Sequence, residues 1–307
     1  FKIFFKHFIY IYLYKMKKGV CASCLDFDIE KVVKSKESLK PDWLKETDYV
    51  REFINNHSMS LKKPDISNVE MNLELGEKVC NRKILYWAAD EKNEKSPIIT
   101  DAKTAYNKFE NSGVTKSNDK GSVKIRFACP QLYKAKQTSD KKDITFFRHI
   151  HFVIEKDGVW DAQIYTKIVI CKYDLSKFLK NKKEGLTVLI NALPSEYYGK
   201  DHVPNSYNLF NKEVSKMSID ELKEWFEYVI RVHYPKLYEY VKSKRLEIYE
   251  VPIIVYCAHE KCNAAELTIK ELMKKGFVNI NEFSGGMKEY SKYRKFVIDT
   301  CGKKANK

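Results

Sequence analysis

The chain has 307 residues, 44% hydrophobic and 13% aromatic, which is enough apolar material for two cores and excludes a disordered chain. Its 56 Lys and Arg against 41 Asp and Glu leave a net charge of +15, a sign that suits nucleic acid or an anionic surface. The excess is mostly Lys spread along the chain, without a recognition module or a concentrated Arg stripe, and this argues against nucleic acid as the partner. Eight Cys, at positions 21, 24, 80, 129, 171, 257, 262 and 301, form no dense framework. Reduced thiols in a reducing compartment are therefore expected.

The chain opens with FKIFFKHFIYIYLYKM, whose uninterrupted apolar run, Phe8 to Tyr14, is too short to span a bilayer. No clean small-residue cleavage pattern follows it. Met16 is the first Met, so residues 1–15 are expected to be a non-native extension ahead of the natural start. Cys21 and Cys24 have the spacing of a redox pair or half a zinc site, but no second such pair exists, and a solvated pair of thiols is the simpler reading. Residues 16–65 are expected to be a helical N-terminal segment, with Leu25, Ile29, Val32 and Val33 and then Val50, Phe53 and Ile54 at helical spacing, ending in a linker at Lys62-Lys63-Pro64.

From Val69 the period changes to two. Strands are expected at Met71–Leu75, Ile84–Trp87, Val123–Ala128, Thr145–Ile154 and Ala162–Ile170, with turns at Asn111-Ser112-Gly113, Asp119-Lys120-Gly121 and Lys156-Asp157-Gly158. That pattern predicts a β-sandwich over residues 66–176. Within it, His149 and His151 lie one residue apart on a strand and project from one face, where both rings could reach one ion. Lys177 to Gly185, charged and poor in large apolar residues, reads as the joint to an α/β domain over residues 184–300.

In that last region the β-branched run Ile253 to Val255 carries Cys257 to the end of a strand. The six-residue loop Cys257 to Cys262 follows, and a helix opens at Asn263. Backbone N–H groups and the positive end of a helix then converge on one sulfur, which is expected to lower the Cys257 thiol and favour a thiolate or bound anion. His259, Lys261 and Asn263 are the loop's candidate anion-binding residues, and Cys262 is a candidate resolving thiol.

The segment Pro252 to Tyr290 resembles the active-site half of a rhodanese domain. Gly276-Phe277 and Gly285-Gly286 stand where that family has its last strand and its closing Gly-Gly element, and LINALPSEYYGKDHVPNSYNL, Leu189 to Leu209, is similar to its opening strand, helix and turn. The resemblance implies an α/β fold with a mostly parallel sheet covered by helices. It also implies Cys257 as a nucleophile that takes sulfur from a sulfane-sulfur donor as a persulfide and passes it to a thiol acceptor.

Residues 66–172 resemble the catalytic domain of the intradiol ring-cleaving dioxygenases, a transthyretin-like sandwich. ILYWAADE from Ile84, the stretch Ser112 to Tyr133, FRHIHFVI from Phe147 and AQIYTKI from Ala162 carry the likeness in order. It implies a ferric ion, Fe(III), held by Tyr106, Tyr133, His149 and His151, and a catechol-like small molecule as substrate. The whole chain is thus expected to be a two-domain α+β protein. The preferred function is a sulfurtransferase and persulfide carrier fused to a dioxygenase-like domain, cytoplasmic or virion-associated and without a membrane partner. The alternative is a non-catalytic binding or structural component, such as a protein of a large DNA virus, that reuses both folds.

Overall fold

The computed structural model describes residues 48–92, 96–136 and 143–305, with side chains described from residue 50 to 297. The expectations for residues 1–15, for Cys21 and Cys24 and for the helical spacing before residue 48 lie outside the described residues. The described chain divides into two compact units, one over 48–92 and 99–169, the other over 96–98 and 170–305.

In the first unit, helix α1 (Asp48–Asn56) is followed by strands β1 (Val69–Glu74) and β2 (Lys83–Ala88). Next come β3 (Thr100–Asp101), helix α2 (Ala102–Tyr106), β4 (Ser112–Lys116), β5 (Ser122–Phe127), β6 (Tyr133–Lys136), β7 (Asp143–Thr145), β8 (His149–Lys156), β9 (Val159–Trp160) and β10 (Tyr165–Ile168). The strands run β10-β8-β2-β4 in the main antiparallel sheet, with β9 on β8. A second pair is β1-β5, and β3-β6-β7 form a third sheet. Period-two burial explains β5, whose Val123, Ile125 and Phe127 are buried between exposed Lys124 and Arg126. At Asp157 and Gly158 the chain turns through positive φ of 52° and 79°, the conformation a tight hairpin needs.

Three expectations need correcting here. Ser112 and Gly113 are not a turn but the buried start of β4, paired with Trp87 and Tyr86. The linker at Lys62 is bridged to Val114, with Lys62 N–H donating to the Val114 carbonyl at 3.0 Å. The end of the helical segment belongs to this unit, for Phe53 of α1 stacks on Phe109 at 4.2 Å and meets Trp87 edge-on.

The second unit holds β11 (Lys172–Tyr173), α3 (Leu175–Glu184), β12 (Val188–Asn191), α4 (Ser195–Tyr198), β13 (Ser206–Asn208), α5 (Asn211–Lys216), α6 (Ile219–His233) and α7 (Pro235–Lys242). It is completed by β14 (Ile253–Tyr256), α8 (Ala264–Lys274), β15 (Ile280–Phe283) and α9 (Gly286–Ala305). Its sheet runs β11-β15-β14-β12-β13, and every pairing is parallel. Strands β12, β14 and β15 are buried at every residue, as strands covered on both faces should be, which is why they read as short continuous runs.

Residues 177–185, expected as a joint, are instead the body of α3 and its left-handed cap Gly185. Asp174 caps this helix by accepting from Lys177 N–H at 2.8 Å. Its one fully buried apolar side chain, Phe178, stacks on Phe283 at 4.2 Å and enters a core with Leu189, Val203, Ile254, Tyr256 and Tyr290. The unit therefore begins at residue 170 and not at 184. Tyr256 also fastens β13, its hydroxyl meeting Val203 N–H at 2.9 Å and Ser206 Oγ at 2.7 Å. Among the described residues no helix is long and apolar enough to cross a membrane.

Candidate functional site

Because β12, β14 and β15 run parallel, their C-terminal ends share one edge of the sheet, and Cys257 is the first residue past the central strand β14. The edge of an open α/β sheet beyond the strand ends is the usual place for a site. The loop closes as a turn, with Cys262 N–H donating to the His259 carbonyl at 2.9 Å. The N-terminus of α9 clamps the other side: Met287 N–H donates to the Cys257 carbonyl and Lys288 N–H to that of Ala258, both at 2.9 Å. Gly286 makes the clamp possible. Its φ is +56° and a Cβ there would run into the Cys257 carbonyl oxygen.

Cys257 is 2% exposed and Cys262 half-buried, while His259, Lys261 and Asn263 lie on the exposed side of the loop. The Cys257 thiol donates to the Cys262 carbonyl at 3.3 Å. Burial, and then its hydrogen bond with the Cys262 side chain, push the Cys257 thiol up to about 12, against the N–H groups of Ala265 and His259. Burial also acts upward on Cys262, but Ala264 N–H, the hydrogen bond from Cys257 and Ala258 N–H outweigh it and leave Cys262 lowered. The expectation of a lowered Cys257 is thus reversed in this arrangement: the amides of the helix start favour a thiolate on Cys262, and Cys257 is its donor. Asn263 stands at the cap position of α8 without a side-chain cap bond. Sequence reasoning missed Glu282 of β15, a buried carboxyl raised by burial and close enough to push the Cys262 thiol up.

The first unit brings its four singled-out side chains together. His149 and His151 come from β8, Tyr106 ends α2 and Tyr133 begins β6. Tyr133 Oη lies 2.8 Å from His149 Nε2, and Tyr106 Oη lies 3.0 Å from His151 Nε2, 3.2 Å from His149 Nε2 and 3.1 Å from Tyr133 Oη. Exposure of each is 2% or less. His149 Nδ1 sits 2.6 Å from the Phe147 carbonyl, which can only accept, so Nδ1 carries the proton and the Nε2 lone pair faces the phenols. His151 Nδ1 is held 2.7 Å from Thr166 Oγ1. Burial takes the proton affinity of His149 down to about 4 and that of His151 well below the usual imidazole value, so both rings are neutral.

Two phenol oxygens and two imidazole nitrogens, each imidazole steadied through its other nitrogen, are a donor set that fits a hard cation. Their mutual spacing of 2.8–3.2 Å also closes as a hydrogen-bonded network, each phenol having an imidazole nitrogen to donate to. Among His, Cys, Asp and Glu alone, the described residues contain no cluster of three or more that could hold a metal. Elsewhere, Cys129 and Cys171 are each disulfide-bonded and Cys80 is free, a departure from the expectation of reduced thiols throughout.

A family model described as the rhodanese-like domain matches residues 174–293, from just ahead of α3 into α9. Residues 174–293 are a rhodanese-like domain. Solved structures similar to the chain include a human single-domain sulfurtransferase at 13% identity, covering 40% of this chain and 97% of that one with a TM-score of 0.30. A single-domain sulfurtransferase of Saccharomyces cerevisiae is 12% identical over 42% of this chain and 94% of its own, with a TM-score of 0.29. A rhodanese-related protein of Thermoplasma volcanium is 17% identical over 40% and 92%, with a TM-score of 0.26. No curated protein matches the chain. In the rhodanese-like domain the half-buried dithiol loop is the one place where a nucleophilic sulfur meets backbone N–H donors at a helix start.

Proposed function

We propose that the rhodanese-like domain is a sulfurtransferase that carries sulfur as a persulfide on Cys257. The observation that supports this reading most is the position of that residue, at the C-terminal edge of the central strand in the matched region and clamped through its carbonyl by the start of α9. A sulfane-sulfur donor would deliver its sulfur to Cys257 and a thiol would accept it, with amides of the loop steadying the charged sulfur. His259 and Lys261 flank the exposed approach, with the exposed Glu260 between them offsetting part of their charge. To test this, the reduced full-length protein is treated with inorganic polysulfide and the Cys257 peptide is weighed. One added sulfur is expected there at the earliest time point, and none at any time in Cys257→Ser. Full sulfur transfer to a thiol acceptor by Cys257→Ser would overturn the reading.

A second reading belongs to the first unit and is favoured by the phenol–imidazole tetrad. We infer that Tyr106, Tyr133, His149 and His151 would hold Fe(III), the two phenolates supplying hard anionic oxygens and the neutral imidazoles their Nε2 lone pairs. A ferric ion so held acts as a Lewis acid and gives a tyrosinate charge-transfer colour. Exposure of 2% or less at all four residues confines this reading to metal binding. A catechol-like ligand would first have to displace the cover of the tetrad. Metal analysis and the visible spectrum after reconstitution with ferrous iron in air test it. Colour and bound iron are expected, and both should be lost in Tyr133→Phe. A colourless, metal-free protein would leave the tetrad as a buried polar network and favour the non-catalytic alternative for this unit.

A further inference from the structure

We propose that Cys262 makes the rhodanese-like domain a hydrosulfide-releasing persulfide reductase, in which the sulfur loaded on Cys257 leaves as hydrosulfide and the two cysteines close to a disulfide. This rests on the reading of Cys257 as the sulfur carrier and goes further, by naming the product and the class of reductant. The geometry carries it. Both sulfurs belong to one loop held shut by the Cys262 N–H to His259 carbonyl bond, and the Cys257 Sγ already lies 3.3 Å from the backbone carbonyl of Cys262. The two side chains share a hydrogen bond. Cys257 is 2% exposed while Cys262 is only partly buried, so Cys262 is the more open of the two thiols to solvent. The Ala258 and Ala264 N–H groups stabilise charge on Cys262, the property an attacking thiol needs.

The step balances without any further oxidant. Once a sulfane donor has left Cys257 as the persulfide anion, the Cys262 sulfur attacks the Cys257 Sγ. The bond between that Sγ and the outer sulfur breaks, and a bond between the two Sγ atoms forms. The outer sulfur takes up the electron pair and leaves as hydrosulfide with the Cys262 proton. The cysteines are oxidised by two electrons and the outer sulfur is reduced by two. An external dithiol then reduces the disulfide by exchange, becomes a disulfide itself and restores the loop. A simple thiol acceptor is thereby replaced, in net terms, by a dithiol reductant. Glu282 is buried and its charge bears on Cys262, acting upward on that thiol. Glu266 and Lys172 are the charged groups that act on Glu282 in turn.

The experiment uses the reduced full-length protein loaded with inorganic polysulfide, desalted and followed for free hydrosulfide and by peptide mass. The wild type should release hydrosulfide and finish with a Cys257–Cys262 disulfide, and dithiothreitol should allow a second round. Cys262→Ser should take up the sulfur, read at the end point, and keep it as a stable persulfide on Cys257 with hydrosulfide release lost. Cys257→Ser should load nothing in this loop. Equal hydrosulfide release by Cys262→Ser, or a wild type that holds its persulfide beside a reduced Cys262, would overturn the reductase and leave the carrier standing. A Cys257→Ser protein that still loads and releases sulfur from Cys262 would overturn the carrier itself.

Discussion

The cysteine loop and the phenol–imidazole tetrad solve opposite problems. In the loop, six consecutive residues supply two sulfurs, and the groups that tune them are backbone amides and carbonyls fixed by the ends of β14, α8 and α9. In the tetrad, four side chains arrive from three separate elements, and almost all the tuning comes from burial and from side-chain partners. A site built on backbone groups tolerates side-chain exchange in its stability and loses only chemistry. A site built from buried polar side chains supports its own core, so removing one member strands the others.

That contrast fixes the largest expected effect. His151→Ala should cost roughly 2–4 kcal/mol in the first unit, because it leaves a cavity and a buried Tyr106 phenol deprived of its 3.0 Å partner. Cys257→Ser should cost at most about 1 kcal/mol in its own unit, since a Ser hydroxyl can donate to the Cys262 carbonyl as the thiol does. Denaturant unfolding followed by hydrogen exchange in β8 and in β14 separates the two units. Equal losses in both would break the comparison.

Gly286→Ala comes next. Its positive φ of 56° and the collision of a Cβ with the Cys257 carbonyl together should cost about 1–3 kcal/mol. The loop must also shift to make room, so alkylation rates at Cys257 and Cys262 should change along with stability. A variant with unaltered thiol reactivity would mean that α9 does not clamp the loop, and that the thiols are tuned by α8 alone.

These two regions also differ in how they could be read beforehand. The loop was legible because its parts are contiguous: an apolar strand run, Cys257, a short loop and a helix start at Ala264. What escaped was which sulfur the amides would serve, a matter of carbonyl and N–H directions that no residue type encodes. His149 and His151 are legible from strand alternation, but Tyr106 and Tyr133 stand out only through the order of motifs in the family that residues 66–172 resemble, since nothing local marks a Tyr at the end of a five-residue helix. The joint at 177–185 was misread because α3 is amphipathic, with Phe178 its only fully buried residue, Leu175 and Leu179 partly buried beside it and five Lys or Glu in the remaining turns, so its composition mimics a linker. Glu282 was invisible as well, for a carboxylate inside a strand run says nothing of the sulfur on the neighbouring loop.

A smaller effect sharpens the order within the dithiol. With Cys257 pushed up to about 12 and Cys262 lowered, alkylation near neutral pH should label Cys262 first, because the thiolate is the nucleophile. In Cys262→Ser the thiolate that accepts the Cys257 hydrogen bond is gone, and Cys257 should label faster than it does in the wild type. Peptide mapping across a pH series reads both rates. Labelling of Cys257 ahead of Cys262 in the wild type would reverse the assignment of the attacking thiol.

The smallest expected effect lies at Glu282. Burial raises its carboxyl above the ordinary value of 4.5, with Glu266 acting in the same direction and Lys172, 3.8 Å away, opposing them. The folded domain therefore holds the proton to higher pH than the unfolded chain does. Its stability from this group is fullest below the unfolded value and is lost as pH rises through the raised one. Glu282→Gln cannot ionise, so hydrogen exchange in β14 and β15 should show a flatter profile as pH rises above the ordinary carboxylate value, with greater protection than wild type once the wild-type carboxyl has ionised. The Lys172 amine loses its partner at little cost, because its side chain is 65% exposed. Removing the charge should also lower Cys262 further and speed its alkylation, since Glu282 acts upward on that thiol. A variant less protected than wild type at high pH would mean that the Lys172 pair outweighs burial, and Glu282 would then be a structural anchor of β11 on β15 and no part of the sulfur site.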